Sequence, residues 1–413
     1  MAAAEIAAAE IIAVGSELLT PSKIDTNSLW LTGELNDLGV EVIRKCVVGD
    51  DRALLTNAIN TALETSSVVI LSGGLGPTED DLTRDAAAAA LGRELMFVQE
   101  ICDGIEERFR RFNRKMVENN RRQAYLVAGA AALSNDRGTA PGQWIETDGK
   151  VVILLPGPPN ELKSMFAREC VPRLKQMLPP RAIRIRQFRV AGMPESDLDA
   201  LIAPIYTRYS NPMTTVLSNV GGIDIHFRAQ CNTGEQADAL LDEVVAQIEP
   251  LLRPRIISRN GDPIEKVVGE MLRTRRARLS VAESATGGML GEWITSVPNS
   301  SDYFAGGFLT YSDEMKMLLL GVPEELIRSY SAVSEPVAKA MADGARERTG
   351  SDYALSVTGY AGPDGKEVGL MFVGLAGPQG TEVRRLKMPG DRNRIRALTV
   401  QNSLDFLRQR LMQ

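Results

Sequence analysis

Two stretches of this chain carry residues whose types and spacing could do chemistry. The first is Ser72-Gly73-Gly74-Leu75-Gly76-Pro77-Thr78-Glu79-Asp80-Asp81-Leu82-Thr83-Arg84. Its three glycines let a backbone turn sharply and approach a ligand more closely than side chains would allow. Asp80 and Asp81 fall where a helix should begin, placed either to cap it or to hold a divalent cation. Amides of such a turn, together with a cation, would face the oxygens of a phosphoester. A tight turn with an acidic N-cap accounts for the glycines but not for the paired acids and the Thr83-Arg84 pair together. The second stretch is Glu283-Ser284-Ala285-Thr286-Gly287-Gly288. A serine between a strand and a helix can point outward, with the following amides and the helix dipole facing a developing oxyanion.

The chain has a single histidine, His226, which nearly excludes Ser-His-Asp catalysis and multi-histidine metal sites. A nucleophile must then be activated by Lys, Tyr or a carboxylate, and a metal held largely by oxygen. Tyr311-Ser312-Asp313-Glu314-Met315-Lys316 offers a phenol and an amine. A lysine desolvated beside a serine can lose its charge and act as general base. Thr358 ends another apolar run, and Pro389-Gly390-Asp391-Arg392 presents an arginine at a helix start, suited to a substrate phosphate. Taken singly, each has a plainer reading: Ser284 as an N-cap, Lys316 as a solvated helix lysine, Thr358 as a strand-end hydroxyl.

The elements that must position these groups alternate. Ile11–Val14, Val40–Val48 and Val68–Leu71 read as strands, separated by amphipathic helices over Asn27–Leu38 and Arg52–Leu63. That rhythm predicts a parallel sheet with helices on both faces, whose ligands bind at the carboxyl ends of the strands. Val151–Leu155 is a further buried strand, and Pro156-Gly157-Pro158-Pro159-Asn160-Glu161 a rigid turn delivering Glu161 to a helix start. Pro179-Pro180 marks a boundary. Arg181 to Leu252 reads strand, helix (Glu195–Ile205), two strands and helix (Glu235–Leu252), a small α+β module of KH-like or ferredoxin-like size. It has no G-x-x-G loop, which counts against nucleic-acid binding. Beyond Arg253-Pro254, strands over Leu279–Ala282, Ala354–Val357 and Val368–Leu375 alternate with helices over Thr286–Ile294 and Ile395–Leu411. The predicted fold class is therefore α/β: a three-layer first domain over 1–175, an α+β linker module over 176–258 and an α/β third domain over 259–413.

Composition narrows the class. At 413 residues, with 44% apolar and 24% charged residues, the chain reads as an ordinary soluble multi-domain protein. A net charge of −6 leaves no basic surplus for nucleic acid. Its four cysteines lack C-x-x-C spacing and read as thiols of a reducing cytoplasm. Met1–Glu10 carries two glutamates and no basic segment, unlike a signal peptide, and no apolar run approaches bilayer length.

In order and wording the motifs resemble the CinA family over nearly the whole chain. The first domain resembles that family's molybdopterin-binding-type domain through V-G-S-E-L-L, D-T-N-S-x-W-L, S-G-G-L-G-P-T-E-D-D-L-T, R-G-T-A-P-G and L-P-G-P-P-N-E-L. The third is similar to its nicotinamide mononucleotide deamidase domain through A-E-S-x-T-G-G, T-Y-S-x-E-x-K, A-V-S-E-P-V and V-T-G-x-A-G-P. The resemblance implies two hydrolases on one chain. One cleaves ADP-ribose to AMP and ribose 5-phosphate with a divalent metal and potassium. The other deamidates nicotinamide mononucleotide to nicotinate mononucleotide without a cofactor. It makes Ser284 the nucleophile, Lys316 the base, Tyr311 and Thr358 orienting groups, Arg392 a phosphate ligand and Ser301 a supporting hydroxyl, with Gly287 and Gly288 in the same loop. In the first domain it points to Asp25, Asn27, Gly73, Gly74, Gly76, Thr78 and Glu161 for substrate and to Asp80 and Asp81 for metal. A symmetric dimer acting on small nucleotides is expected. The chain departs from the family at Ala285, usually Cys, at Tyr360, usually Ile, at Pro21-Ser22-Lys23, and in a shortened loop over Asp364–Gly369. Two further readings share these folds: a deamidase whose first domain only binds a nucleotide or pterin, and a non-catalytic partner in competence or DNA repair.

Overall fold

The computed structural model describes residues 7–219, 222–363 and 367–413. The first six residues of the alanine-rich start and Asp364-Gly365-Lys366 of the shortened loop lie outside the described residues. The chain divides into two compact units, residues 1–184 with 229–240, and residues 185–228 with 241–413.

The first unit contains β1 (Ala8–Val14), α1 (Thr26–Asp37), β2 (Glu41–Val48), α2 (Arg52–Thr65), β3 (Val68–Ser72), α3 (Thr83–Ala90), β4 (Leu95–Phe97) and α4 (Gln99–Arg111). There follow β5 (Tyr125–Val127), β6 (Ala131–Leu133), β7 (Gly142–Thr147), β8 (Lys150–Leu155), α5 (Pro159–Met165) and α6 (Val171–Met177). Six strands pair in the order β2-β1-β3-β8-β7-β6. The apolar runs of β3 and β8 occupy the centre because both faces are covered. On one face Ile11, Ile70 and Ile153 pack on Leu31, Leu35, Leu162 and Phe166. On the other, Ile12, Leu71 and Leu154 pack on Leu55, Ile59 and Ala87. This is the expected three-layer arrangement, with one correction. Only β2, β1, β3 and β8 are parallel, whereas β7 and β6 add antiparallel strands. The reversal is made by Asp148 (φ 47°) and Gly149 (φ 76°), a two-residue turn with both φ values positive.

The second unit contains most of β9 (Ala182–Val190), then α7 (Glu195–Tyr206), β10 (Met213–Asn219), β11 (Gly222–Cys231) as far as Arg228, α8 (Gly234–Leu252) from Leu241 onward, and β12 (Ile256–Ser258). These strands form the KH-like sheet, in the order β10-β11-β9-β12. The chain continues through α9 (Ile264–Arg275), β13 (Leu279–Glu283), α10 (Met289–Ser296), β14 (Phe304–Leu309), α11 (Asp313–Leu320), α12 (Glu324–Tyr330) and α13 (Glu335–Thr349). It ends with β15 (Tyr353–Gly359), β16 (Leu370–Gly377), β17 (Gly380–Lys387) and α14 (Arg392–Leu411). The larger sheet runs β14-β13-β15-β16-β17, parallel across its first three strands and antiparallel beyond. Val281, Val357 and Val373 pack on Val268, Leu290 and Leu404 on one face. Ala282, Ala354 and Ala376 meet Val337 and Met341 on the other. Compactness draws no line at 258/259. Ile257 belongs to the core of the larger sheet, and Arg408 on α14 donates to the Ile256 carbonyl at 3.2 Å.

Among the described residues no helix is long and apolar enough to cross a membrane. All four cysteines are free, and burial pushes the Cys46 and Cys170 thiols up, away from the reactive thiolate.

Candidate active sites

The carboxyl ends of β1, β3 and β8 open on a cleft of about 310 Å³. Gly73 (φ 113°) begins its floor, and a Cβ there would run into the Val14 carbonyl. Side chains below hold the loop's carbonyls: Thr83 Oγ1 donates to Gly73 O at 2.8 Å, and Arg84 donates to Leu75 O and Gly76 O at 2.8 Å each. Arg84 is buried, and that burial pulls its guanidinium below its ordinary value, with Asp81 opposing. With the carbonyls held beneath, the amides of Gly74 and Leu75 have no hydrogen-bond partner among the described residues and are free for an anion. If this cleft cleaves a phosphoester, Gly73→Ala should lose that cleavage, because strain of roughly 1–3 kcal/mol adds to a backbone clash. Unchanged phosphoester cleavage by this variant would show that the loop does not hold the substrate.

Asp80 and Asp81 prove unlike each other. Asp81 accepts from the Gly76 amide at 2.8 Å and, on its other oxygen, from the Thr78 amide at 2.8 Å and hydroxyl at 2.5 Å. It braces the loop, with both carboxylate oxygens already engaged by protein donors. Asp80 is exposed, and hydrogen bonding from Thr78, then from its own amide, holds its carboxyl below the ordinary carboxylate range. The Thr78 hydroxyl itself donates to Asp81. Neither acid caps α3, which starts after Leu82 without a side-chain cap. Asp25 is the N-cap of α1, accepting from the Ser28 amide at 3.0 Å, and does not line the cleft. Asn27 ties the ends of β3 and β8 by donating to Ser72 Oγ at 3.1 Å and Gly157 O at 2.8 Å, while its Oδ1 stays buried and unpartnered. Glu161 lines the cleft and accepts from Asn135 Nδ2 at 2.7 Å.

Glu17, from the V-G-S-E-L-L motif at the end of β1, and Asp50, which sequence reasoning missed, bring the cleft's carboxylates to five, with no basic side chain among its lining residues. A diphosphate would be repelled there unless cations neutralise it. Among the described residues no group of three or more His, Cys, Asp or Glu is placed to hold a metal. That donor set fits a divalent ion held by one or two carboxylates and completed by substrate phosphates and water.

In the second unit Ser284 sits at the carboxyl end of β13, between its two parallel neighbours. Its amide donates to Val357 O on β15 at 3.0 Å, and the amide of Thr310, just past β14, donates to Glu283 O at 2.8 Å. Helix α10 starts at Met289, three residues later than expected, because Gly287 (φ 57°) and Gly288 (φ 96°) take left-handed conformations. The buried Glu283 carboxylate then accepts from the amides of Gly288 (3.0 Å), Leu290 (3.0 Å) and Gly291 (2.8 Å). The amides that open α10 are thus occupied by Glu283. The donors left beside Ser284 are the amides of Ala285 and Thr286, which have no partner among the described residues. Glu283→Ala would leave three amides unpaired and should cost about 3 kcal/mol, read as a lowered thermal transition. An unchanged transition would mean that water replaces the carboxylate.

Lys316 is 2% exposed, which overturns its reading as a solvated helix lysine. Its Nζ donates to Tyr311 O (3.5 Å), Ser312 O (3.4 Å) and Asp313 Oδ1 (3.3 Å). Among the described residues no hydrogen bond joins it to Ser284, so one of these contacts must be released for proton transfer. Such bonds commonly tighten only around substrate. Tyr311 is exposed, and its phenol accepts from Arg392 Nη2 at 3.4 Å, while Arg392 Nη1 donates to Gly362 O at 2.6 Å. Thr358 is buried and its hydroxyl donates to Ala332 O at 2.9 Å, so that proton is engaged in structure. Ser301 is not brought to the site. It lies in the turn Ser300–Asp302 before β14, and since β14 runs parallel to β13 it sits at the opposite, amino end of the sheet. Arg396, which sequence reasoning missed, donates to Thr286 O at 2.6 Å and steadies the serine loop. Its spacing four residues after Arg392 on one helix was the available signal.

Three families match the chain: "Probable molybdopterin binding domain" over residues 10–176, "Damage-inducible protein CinA KH domain" over 185–257 and "CinA C-terminal domain" over 261–411. A CinA-like protein of Solibacter usitatus is 56% identical over 407 residues, spanning 98% of both chains. One of Koribacter versatilis is 46% identical over 412 residues, spanning 98% of this chain and 100% of its own length. Among solved structures, a competence-damaged protein (CinA) superfamily protein of Escherichia coli is 33% identical, covering 35% of this chain and 87% of its own, with a TM-score of 0.35. With relatives this similar along almost its whole length, the chain belongs to the CinA family.

Proposed function

We propose that the chain is a bifunctional hydrolase of pyridine-nucleotide recycling. The C-terminal domain, residues 259–413, converts nicotinamide mononucleotide and water to nicotinate mononucleotide and ammonia. The observation that supports this best is a buried lysine amine against the end of β14, one strand from a serine at the end of β13, in a chain whose lone histidine lies on β11. Ser284 Oγ attacks the carboxamide carbon as its proton passes to Lys316. The oxyanion meets the Ala285 and Thr286 amides. The C–N bond breaks, ammonia leaves with the proton from Lys316, and water then hydrolyses the acyl-serine to the carboxylate. Arg392 binds the nucleotide phosphate beside Tyr311.

The N-terminal domain, residues 1–175, hydrolyses ADP-ribose to AMP and ribose 5-phosphate. Asp80 would hold a divalent ion, which together with potassium would supply the positive charge that a diphosphate needs, and the Gly74 and Leu75 amides bind the diphosphate oxygens. The acid-lined cleft with two unpartnered amides supports this reading. The test offers the full chain each substrate separately, with and without magnesium, and measures AMP and ammonia. AMP release should need magnesium and ammonia release should persist in chelator. Because Asp81 is engaged in the loop, a second reading keeps the first domain as a binding module. Ammonia without AMP would select it.

A further inference from the structure

Three hydroxyls stand side by side where the parallel strands of the larger sheet end. Glu283 is in register with Leu309 on β14 and with Val357 on β15. One residue further on, Ser284 therefore has Thr310 on one side and Thr358 on the other. The ladder bonds of the Thr310 and Ser284 amides carry the pairing into this row. Side chains alternate between faces along a strand, so Ser284 and Thr310 follow Ala282 and Phe308 onto the face that packs on Leu320 of α11. Lys316 lies one turn before Leu320 on that helix, and its amine donates to the carbonyl of Tyr311, the residue after Thr310.

The two threonines of the row differ. The Thr358 proton is committed to Ala332 O. Thr310 is fully buried, and its Oγ1 has no hydrogen-bond partner among the described residues. A buried hydroxyl left orphaned costs stability that an isosteric valine would not. Thr286 Oγ1 is also without a partner, but Thr286 has left the row, inside the turn closed by the Gly287 amide on Ser284 O at 3.1 Å. Thr310 is thus the uncommitted hydroxyl beside the nucleophile, on the strand that leads into the helix of the base.

We propose that Thr310 is a third catalytic group of the serine site, its hydroxyl passing the Ser284 proton to Lys316. As Ser284 Oγ bonds to the carboxamide carbon, its O–H bond breaks and the proton goes to Thr310 Oγ1. The proton already on Thr310 moves to Lys316 Nζ, which becomes an ammonium and later protonates the departing nitrogen. The threonine ends unchanged. This relay rests on the deamidase reading of residues 259–413 and deepens it.

Thr310→Val and Thr310→Ser in the full chain test it. Valine should lower kcat for ammonia release from nicotinamide mononucleotide about a hundredfold with KM unchanged, the low end of what a positioned proton transfer contributes. Serine should restore most of that loss. Valine should also melt no lower than the wild type, because the hydroxyl it removes has no partner. Labelling by phenylmethylsulfonyl fluoride, read by intact mass and peptide mapping, reports the activation of Ser284 without any amide substrate. Valine should slow it and serine restore it. Wild-type turnover and labelling in Thr310→Val overturn the relay and leave the deamidase standing. So does a loss that only follows a lowered melt, or one that serine fails to rescue. Labelling that depends on Thr310 in a chain releasing no ammonia keeps the relay and removes the substrate. A wild type that does neither removes both, and where ammonia release alone is seen, kcat and the serine rescue decide.

Discussion

Ser284→Ala and Lys316→Ala should each lower ammonia release from nicotinamide mononucleotide by about a thousandfold or more, and the double variant should be little worse than either. Non-additivity is expected because the hydroxyl is a weak nucleophile without the base, and the base has no task without the hydroxyl. Lys316→Arg, whose guanidinium does not serve as a proton acceptor, should stay inactive. Because Lys316 is buried, its removal also strips a donor from the Tyr311 and Ser312 carbonyls. A thermal melt of each variant separates lost chemistry from lost structure, and AMP release from ADP-ribose should be unaffected. Near-normal ammonia release by Lys316→Ala would dismiss the dyad and leave Lys316 as a buried anchor of α11.

The two adjacent acids of the first domain should fail differently. Asp80→Asn should lower AMP release by about a hundredfold at limiting magnesium and recover part of it as magnesium is raised, since a ligand is lost while the loop stays intact. Asp81→Ala should lose activity at every magnesium concentration and melt earlier. It leaves the Gly76 and Thr78 amides unpaired and releases the turn that presents the Gly74 and Leu75 amides. Thr78 holds the Asp80 carboxyl below its ordinary value, so its charge is present at neutral pH and is lost only as pH falls through that lowered value. Metal-dependent activity should therefore persist into mildly acidic solution. Identical responses of the two variants to magnesium would erase the distinction between ligand and brace.

Much of this protein was legible from its residues alone. Runs such as Val68–Leu71 and Val151–Leu155, apolar at every position, can be buried only on both faces, which makes them central parallel strands. The glycine loop after one strand and the serine after another announce ligand sites at strand ends, because that is where helix starts and free amides gather. The absence of a second histidine narrows the choice of base before any fold is known. Which group is free to react was decided only in three dimensions. Asp80 and Asp81 are neighbours in sequence, yet one is solvated and the other closes a loop, and the difference comes from the amides that each carboxylate meets. Glu283 occupies the amides that open α10, leaving those of Ala285 and Thr286 beside Ser284. Ser301 shares the serine domain but falls at the wrong end of the sheet, since parallel pairing of β13 and β14 separates a residue before one strand from a residue after the other. Lys316 looks like a surface lysine in a local window and is buried by its neighbours. Local pattern sets where strands and turns form, whereas desolvation and hydrogen-bond competition depend on residues far apart in the chain, and only tertiary packing brings those together.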